Sequence, residues 1–176
     1  MGKKRAAFYS KKYKWLLTFI STKIPFLSSF LILLLSFVNF GFYEAKPLLV
    51  LIPIFFWGMM KVKSFDFISV LLFGFVQDFL DGTPFGLNIF IFLSLYFMIY
   101  YQKFFSIDSS FVFSYLAFSI VSFVLMLIKY FIISILFVYN IAFFNILLSW
   151  AILILFYPIF YWILGWLYTR LVGKYK

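Results

Sequence analysis

The 176-residue chain is 66% hydrophobic and 27% aromatic but only 11% charged, with a mean hydropathy of +1.12. Soluble domains are about half apolar and about a quarter charged, so no water-soluble core of this length hides so much apolar surface, and the surrounding solvent must be lipid. The absence of cysteine and histidine excludes disulfides, thiolate nucleophiles, imidazole metal sites and histidine-based proton transfer. The net charge of +10 sits at the ends of apolar runs, which fits positive-inside topology and anionic headgroups rather than nucleic acid.

The chain opens on a basic stretch, Lys3, Lys4, Arg5, Lys11, Lys12, Lys14 and Lys23, with no acid. Phe8, Tyr9, Tyr13, Leu16, Leu17 and Ile20 recur at helical spacing, which predicts an interfacial helix over 1–21 lying on anionic headgroups. Its charged part is too long for a signal peptide and no small-residue cleavage site follows, so the segment is expected to be retained.

Ile24 to Phe42 is long enough for a first span, in which Ser28, Ser29 and Ser36 are expected to bond back to the preceding turn. Tyr43 to Pro47 reads as a polar connection, with Pro47 in the first turn of the next helix. Leu48 to Met60 is short for a crossing and holds Pro53. A kinked helix shielded by its neighbours is the expected solution. Lys61 and Lys63 mark a cytoplasmic turn, and Ser64 or Asp66 caps a third helix running to Leu80. Thr83-Pro84 reads as N-cap and first-turn proline of a fourth helix running to Phe105.

Gln102, Lys103 and Asp108 mark the next inner turn, Ser109 to Tyr139 is one apolar run containing Lys129, and Ile141 to Tyr168 is the last span, with Pro158 as a kink. Trp162, Trp166 and Tyr168 form an aromatic belt before Arg170, Lys174 and Lys176. The expected fold is all-α and integral to the membrane: one domain over 1–176, a bundle of about six spans over 22–170, both termini cytoplasmic. Every Lys and Arg except Lys46 and Lys129 then falls on the inner side.

Polar residues gather at one place in this apolar chain, Gly74 to Asn88. Gln77 and Asp78 close the third helix. Gly82 and Gly86 are expected to allow a tight approach between the third and fourth helices. Asp81-Gly82 reads as a turn open to water. At 1.5 Å per residue Asp78 lies roughly 20 Å from the inner side and Lys129 roughly 30 Å, near the same outer depth. Asp78 either reaches outer water or locks the hairpin to its neighbours. Lys129 either snorkels to the interface or pairs with Asp78 or Glu44, and the pair expected is Asp78 with Lys129.

No set of residues supplies an active site: there is no Walker lysine, no HExxH, no usable Ser-x-x-Lys and no paired acids on one exposed helix face. Asn145 and Ser149, four apart in the last helix, are expected to face the bundle interior and bond across helices. Neither a cofactor nor a metal is implied.

The run Gly74-Phe75-Val76-Gln77-Asp78-Phe79-Leu80-Asp81-Gly82-Thr83-Pro84-Phe85-Gly86-Leu87-Asn88 resembles the bacterial rod shape-determining protein MreD family, which carries Gly-x-x-Gln-Asp, a short polar turn and Pro-x-Gly-x-Asn in the same central place. The residues carrying the resemblance are Gly74, Gln77, Asp78, Gly82, Pro84, Gly86, Leu87 and Asn88. The resemblance implies a non-enzymatic scaffold subunit of the cell-elongation complex in the cytoplasmic membrane. MreC would be its partner, with RodA and a class B penicillin-binding protein acting directly or through MreC in side-wall peptidoglycan synthesis. It also implies a fold similar to the substrate-binding subunit of energy-coupling-factor transporters. That vitamin-binding role is the alternative, but such subunits use an Ala-x-x-x-Ala pattern in the first helix, and this first helix has no alanine. The fourth helix departs from the pattern: Tyr96, Phe97, Tyr100 and Tyr101 crowd it and no glycine follows Gly86.

Overall fold

The structure, a computed structural model, describes residues 22–36, 46–62, 65–101, 110–137 and 143–172. These residues form six helices and no strand: α1 Thr22–Leu35, then α2 Leu51–Met59, α3 Phe67–Asp81, α4 Leu87–Tyr101, α5 Phe111–Phe137 and α6 Phe143–Leu167. A π-helical turn, Tyr168–Val172, continues α6. Phe111–Leu136 and Phe143–Arg170 are each long and apolar enough to cross a membrane. The basic segment 1–21 and the connection around Glu44 lie outside the described residues.

The bundle is built around its shortest helix. Apolar side chains surround α2 on all sides, and a helix of that kind has no face to offer water. Leu51, Ile52, Pro53, Ile54, Phe55, Phe56, Trp57 and Met59 are all buried in its 9 residues. Neighbours supply the shielding that so short a helix needs. Trp57 donates its Nε1–H to Ser28 Oγ of α1 at 3.2 Å, Gly58 faces Ile99 of α4, and the Phe55 ring meets Phe118 of α5 edge-on at 5.2 Å. Phe118 in turn stacks on Tyr157 of α6 at 4.4 Å.

Pro47 and Pro53 sit differently from the sequence expectation. Pro53 is the third residue of α2, where the missing N–H has no partner to lose, so it does not interrupt the helix interior. Pro47 lies before α2, in a run of turns where its carbonyl accepts the Leu49 N–H at 3.0 Å. Pro158 lies inside α6 without ending it. The N-cap of α3 is Asp66, whose Oδ1 accepts the Ser69 N–H at 3.2 Å and the Ser69 hydroxyl at 2.9 Å.

Ser28 and Ser29 bond back as the sequence suggests, their hydroxyls donating to the Pro25 carbonyl at 3.1 and 2.7 Å, whereas the Ser36 hydroxyl, expected to do the same, is buried with no partner among the described residues. The long pair α5–α6 is joined by a few polar bonds set in aromatic packing. Ser114 and Tyr157 share a hydrogen bond at 2.8 Å, and Trp150 Nε1–H donates to the Ser119 carbonyl at 3.1 Å. Ser149 donates to the Asn145 carbonyl at 2.7 Å and lies 3.5 Å from the Tyr130 hydroxyl of α5. Trp162 and Trp166 are exposed near the end of α6, and the Arg170 guanidinium lies 5.4 Å from the Trp166 ring centre.

Candidate functional site: the polar lock at the α3–α4 hairpin

Two helices can approach backbone to backbone only where one lacks a side chain. At Gly74 a Cβ would lie 2.5 Å from the Ile89 Cα and 2.8 Å from the Ile89 nitrogen. The close approach of α3 and α4 is therefore set at Gly74, not at Gly82 and Gly86 as expected from sequence. Around those two an added Cβ meets nothing within 4 Å. They are needed for their backbones, with φ of 65° and 101°, a region open to glycine at little cost. The aromatic crowding of α4 does not prevent contact, because the glycine that permits it is on α3.

Gly82 ends α3: its own N–H and that of Thr83 both return to the Asp78 carbonyl, which satisfies a terminal C=O. Thr83-Pro84 does not start the next helix. Pro84 O accepts the Leu87 N–H at 3.2 Å in a turn, and helix α4 begins at Leu87. Its first amides need an acceptor, and Asp78 supplies one from the neighbouring helix. Oδ2 accepts the Gly86 N–H at 2.8 Å, and Oδ1 accepts the Asn88 N–H at 2.7 Å and the Thr83 hydroxyl at 3.0 Å. A carboxylate at a helix N-terminus also meets the positive end of the helix dipole. Asp78 thus caps α4 from α3, and its residue is only 1% exposed.

The lysine goes to the other acid. Lys129 Nζ of α5 donates to Asp81 Oδ2 at 2.8 Å, with both side chains under 10% exposed (6% and 9%). The expected Asp78–Lys129 pair is corrected: Asp78 already holds three donors, whereas Asp81, the last residue of α3, turns its carboxylate towards α5. Asp81 is not a water-washed turn residue either. Its Oδ1 accepts from Gln77 Nε2 at 2.9 Å, one helical turn back, and its Oδ2 also accepts from Asn88 Nδ2 at 3.2 Å. Asn88 Nδ2 also donates to Thr83 Oγ1 at 3.1 Å, so among the described residues Asp78 is linked to Lys129 through Asn88, directly or by way of Thr83, and then through Asp81. Two amide oxygens of the cluster, Gln77 Oε1 and Asn88 Oδ1, are buried with no partner among the described residues.

Gln77, Asp78 and Asn88 are brought together; Leu87 is buried beside them; Pro84 shapes the turn. Asp81 and Thr83 are the residues that sequence reasoning missed. The available signal was the i, i+4 spacing of Gln77 and Asp81, which puts the amide and the acid on one helix face. Among the described residues no group of three His, Cys, Asp or Glu side chains gathers to hold a metal.

Two apolar helices of spanning length, an almost wholly buried central helix and an ion pair sealed inside the bundle fit an integral membrane protein whose polar residues join helices. The family described as rod shape-determining protein MreD matches the chain over residues 11–166. The chain belongs to that family, and its role lies in rod shape determination. No curated protein and no solved structure matches it.

Proposed function

We propose that the chain is a non-enzymatic scaffold subunit of the bacterial cell-elongation complex, holding MreC in the cytoplasmic membrane and through it supporting RodA and a class B penicillin-binding protein in side-wall peptidoglycan synthesis. The observation that carries this reading is the polar lock. Gln77, Asp78, Asp81, Thr83, Asn88 and Lys129 are bonded to one another across three helices. Side chains so engaged stiffen a hairpin into a fixed surface, which is what a docking subunit needs.

The proposal includes the topology argued from charge: a six-span bundle of one domain, related in fold to the substrate-binding subunit of energy-coupling-factor transporters. Both termini are cytoplasmic and the basic N-terminal segment rests on anionic lipid. Family membership favours this role over vitamin transport. Affinity purification of the tagged chain from mild detergent should recover MreC together with RodA and its penicillin-binding partner. Recovery without MreC, or turnover of a lipid-linked cell-wall precursor by the purified chain alone, would overturn the scaffold reading.

A further inference from the structure

At the end of the bundle opposite the lock, the chain leaves a cavity of about 400 Å³ lined by Trp57, Gly58, Lys61, Asp66, Tyr96 and Tyr100. That volume falls in the range of small-molecule sites. The end of α2, the start of α3 and the end of α4 frame it, and 14 steps of about 1.5 Å along α3 put it roughly 21 Å from the Lys129–Asp81 pair. Lys61 is held in an uncommon backbone state, φ 47°, its N–H bonded to the Gly58 carbonyl at 3.1 Å. Strain of this kind gathers at ligand sites.

The lining carries opposite charges that do not satisfy each other. Among the described residues Lys61 and Asp66 form no ion pair. Asp66 uses Oδ1 to cap α3, accepting both donors of Ser69, which leaves Oδ2 for another partner. Two tyrosines of α4 complete the wall, with Tyr96 and Tyr100 stacked at 6.1 Å and 21°. A carboxylate beside aromatic faces suits an ammonium, while a lysine a short distance away suits a phosphate.

We propose that this cavity binds the headgroup of an aminophospholipid, the phosphate on Lys61 and the primary ammonium on Asp66 Oδ2 against Tyr96 and Tyr100. A lipid is favoured over a soluble zwitterion by the flank of the site. Phe67 and Phe97, next in sequence to Asp66 and Tyr96, touch at 5.8 Å and remain exposed, an apolar edge along which acyl chains can lie. The inference does not depend on which proteins the chain binds.

Native mass spectrometry of the full chain in mild detergent, titrated with phosphatidylethanolamine or phosphatidylglycerol, tests it. The ethanolamine lipid should bind at roughly tenfold lower concentration. Asp66→Asn keeps a side chain that caps helices equally well and should remove that preference while leaving phosphatidylglycerol binding in place. Lys61→Gln should weaken both lipids. Equal binding of the two lipids by the unmodified chain, a preference that survives Asp66→Asn, or no response to Lys61→Gln would each overturn the assignment. Displacement of the lipid by an equal concentration of soluble phosphoethanolamine would overturn the choice of a lipid.

Discussion

The two ends of the α3–α4 hairpin treat charge in opposite ways. At the apex Asp78, Asp81 and Lys129 are sealed, each carboxylate holding three donors, two of Asp78's being backbone amides. At the far end Lys61 and Asp66 are exposed on the wall of a cavity and remain apart. The difference follows from what each end must do. The apex has to close a helix, turn, and start another beside α5, and its buried charges are all bonded, as burial requires, although the amide oxygens of Gln77 and Asn88 have no partner among the described residues. The cavity end meets the outside, where an unpaired charge costs little. The contrast separates a part of the molecule that holds shape from a part open to a ligand.

The sharpest way to break that contrast is to unpair the lock. Asp81→Ala and Lys129→Met each strand a buried charge and should cost about 3–5 kcal/mol, read as loss of resistance to unfolding in mixed micelles. The double change Asp81→Ala with Lys129→Met should recover a good part of that loss. Asp78→Ala combined with Lys129→Met should recover less, because their link runs through other side chains. A larger coupling for the Asp78 pair would reverse the assignment of partners.

Next in size is the backbone contact. Gly74→Ala puts a methyl 2.5 Å from the Ile89 Cα, where no side-chain rotation relieves it, so α3 and α4 must part. Overpacking of this kind costs about 1–3 kcal/mol. Gly82→Ala should cost about 1 kcal/mol, through its left-handed backbone alone, since the space around it is open. Melting both variants side by side checks this; a Gly82 variant more damaged than the Gly74 one would return the tight approach to the turn.

What the amino-acid sequence made legible depended on whether the deciding interaction was local. Asp66, one of the two caps expected for α3, the back-bonded Ser28 and Ser29 and the Gly82 turn are set by residues within four or five positions of one another, and they read correctly; Ser36, expected to bond back as well, has a buried hydroxyl with no partner among the described residues. Within the motif, Asp78 of α3 bonds the start of α4. The choice between Asp78 and Asp81 for Lys129 was not readable, because it rests on where the neighbouring helix starts. With α4 beginning at Leu87 and not at Pro84, Asp78 comes within reach of the Gly86 and Asn88 amides and is taken up by them. The role of Gly74 was hidden for the same reason: a close approach belongs to two helices, and only the partner residue Ile89 reveals it.

The smallest effect tests the open end. Asp66 does two things in the structure: it caps α3 through Oδ1 and it places a negative charge on the cavity wall. Asparagine can do the first and not the second. Asp66→Asn should therefore unfold within about 0.5 kcal/mol of the unmodified chain, while Asp66→Ala, which removes the cap as well, should lose about 1 kcal/mol. The same replacement at the apex, Asp81→Asn, removes the charge that Lys129 needs and should cost far more, although asparagine nearly matches aspartate in shape. Thermal unfolding of the three variants in one detergent gives the answer. If Asp66→Asn proved as damaging as Asp81→Asn, the charge at the cavity would be a structural one, and the division between a sealed end and an open end would be lost.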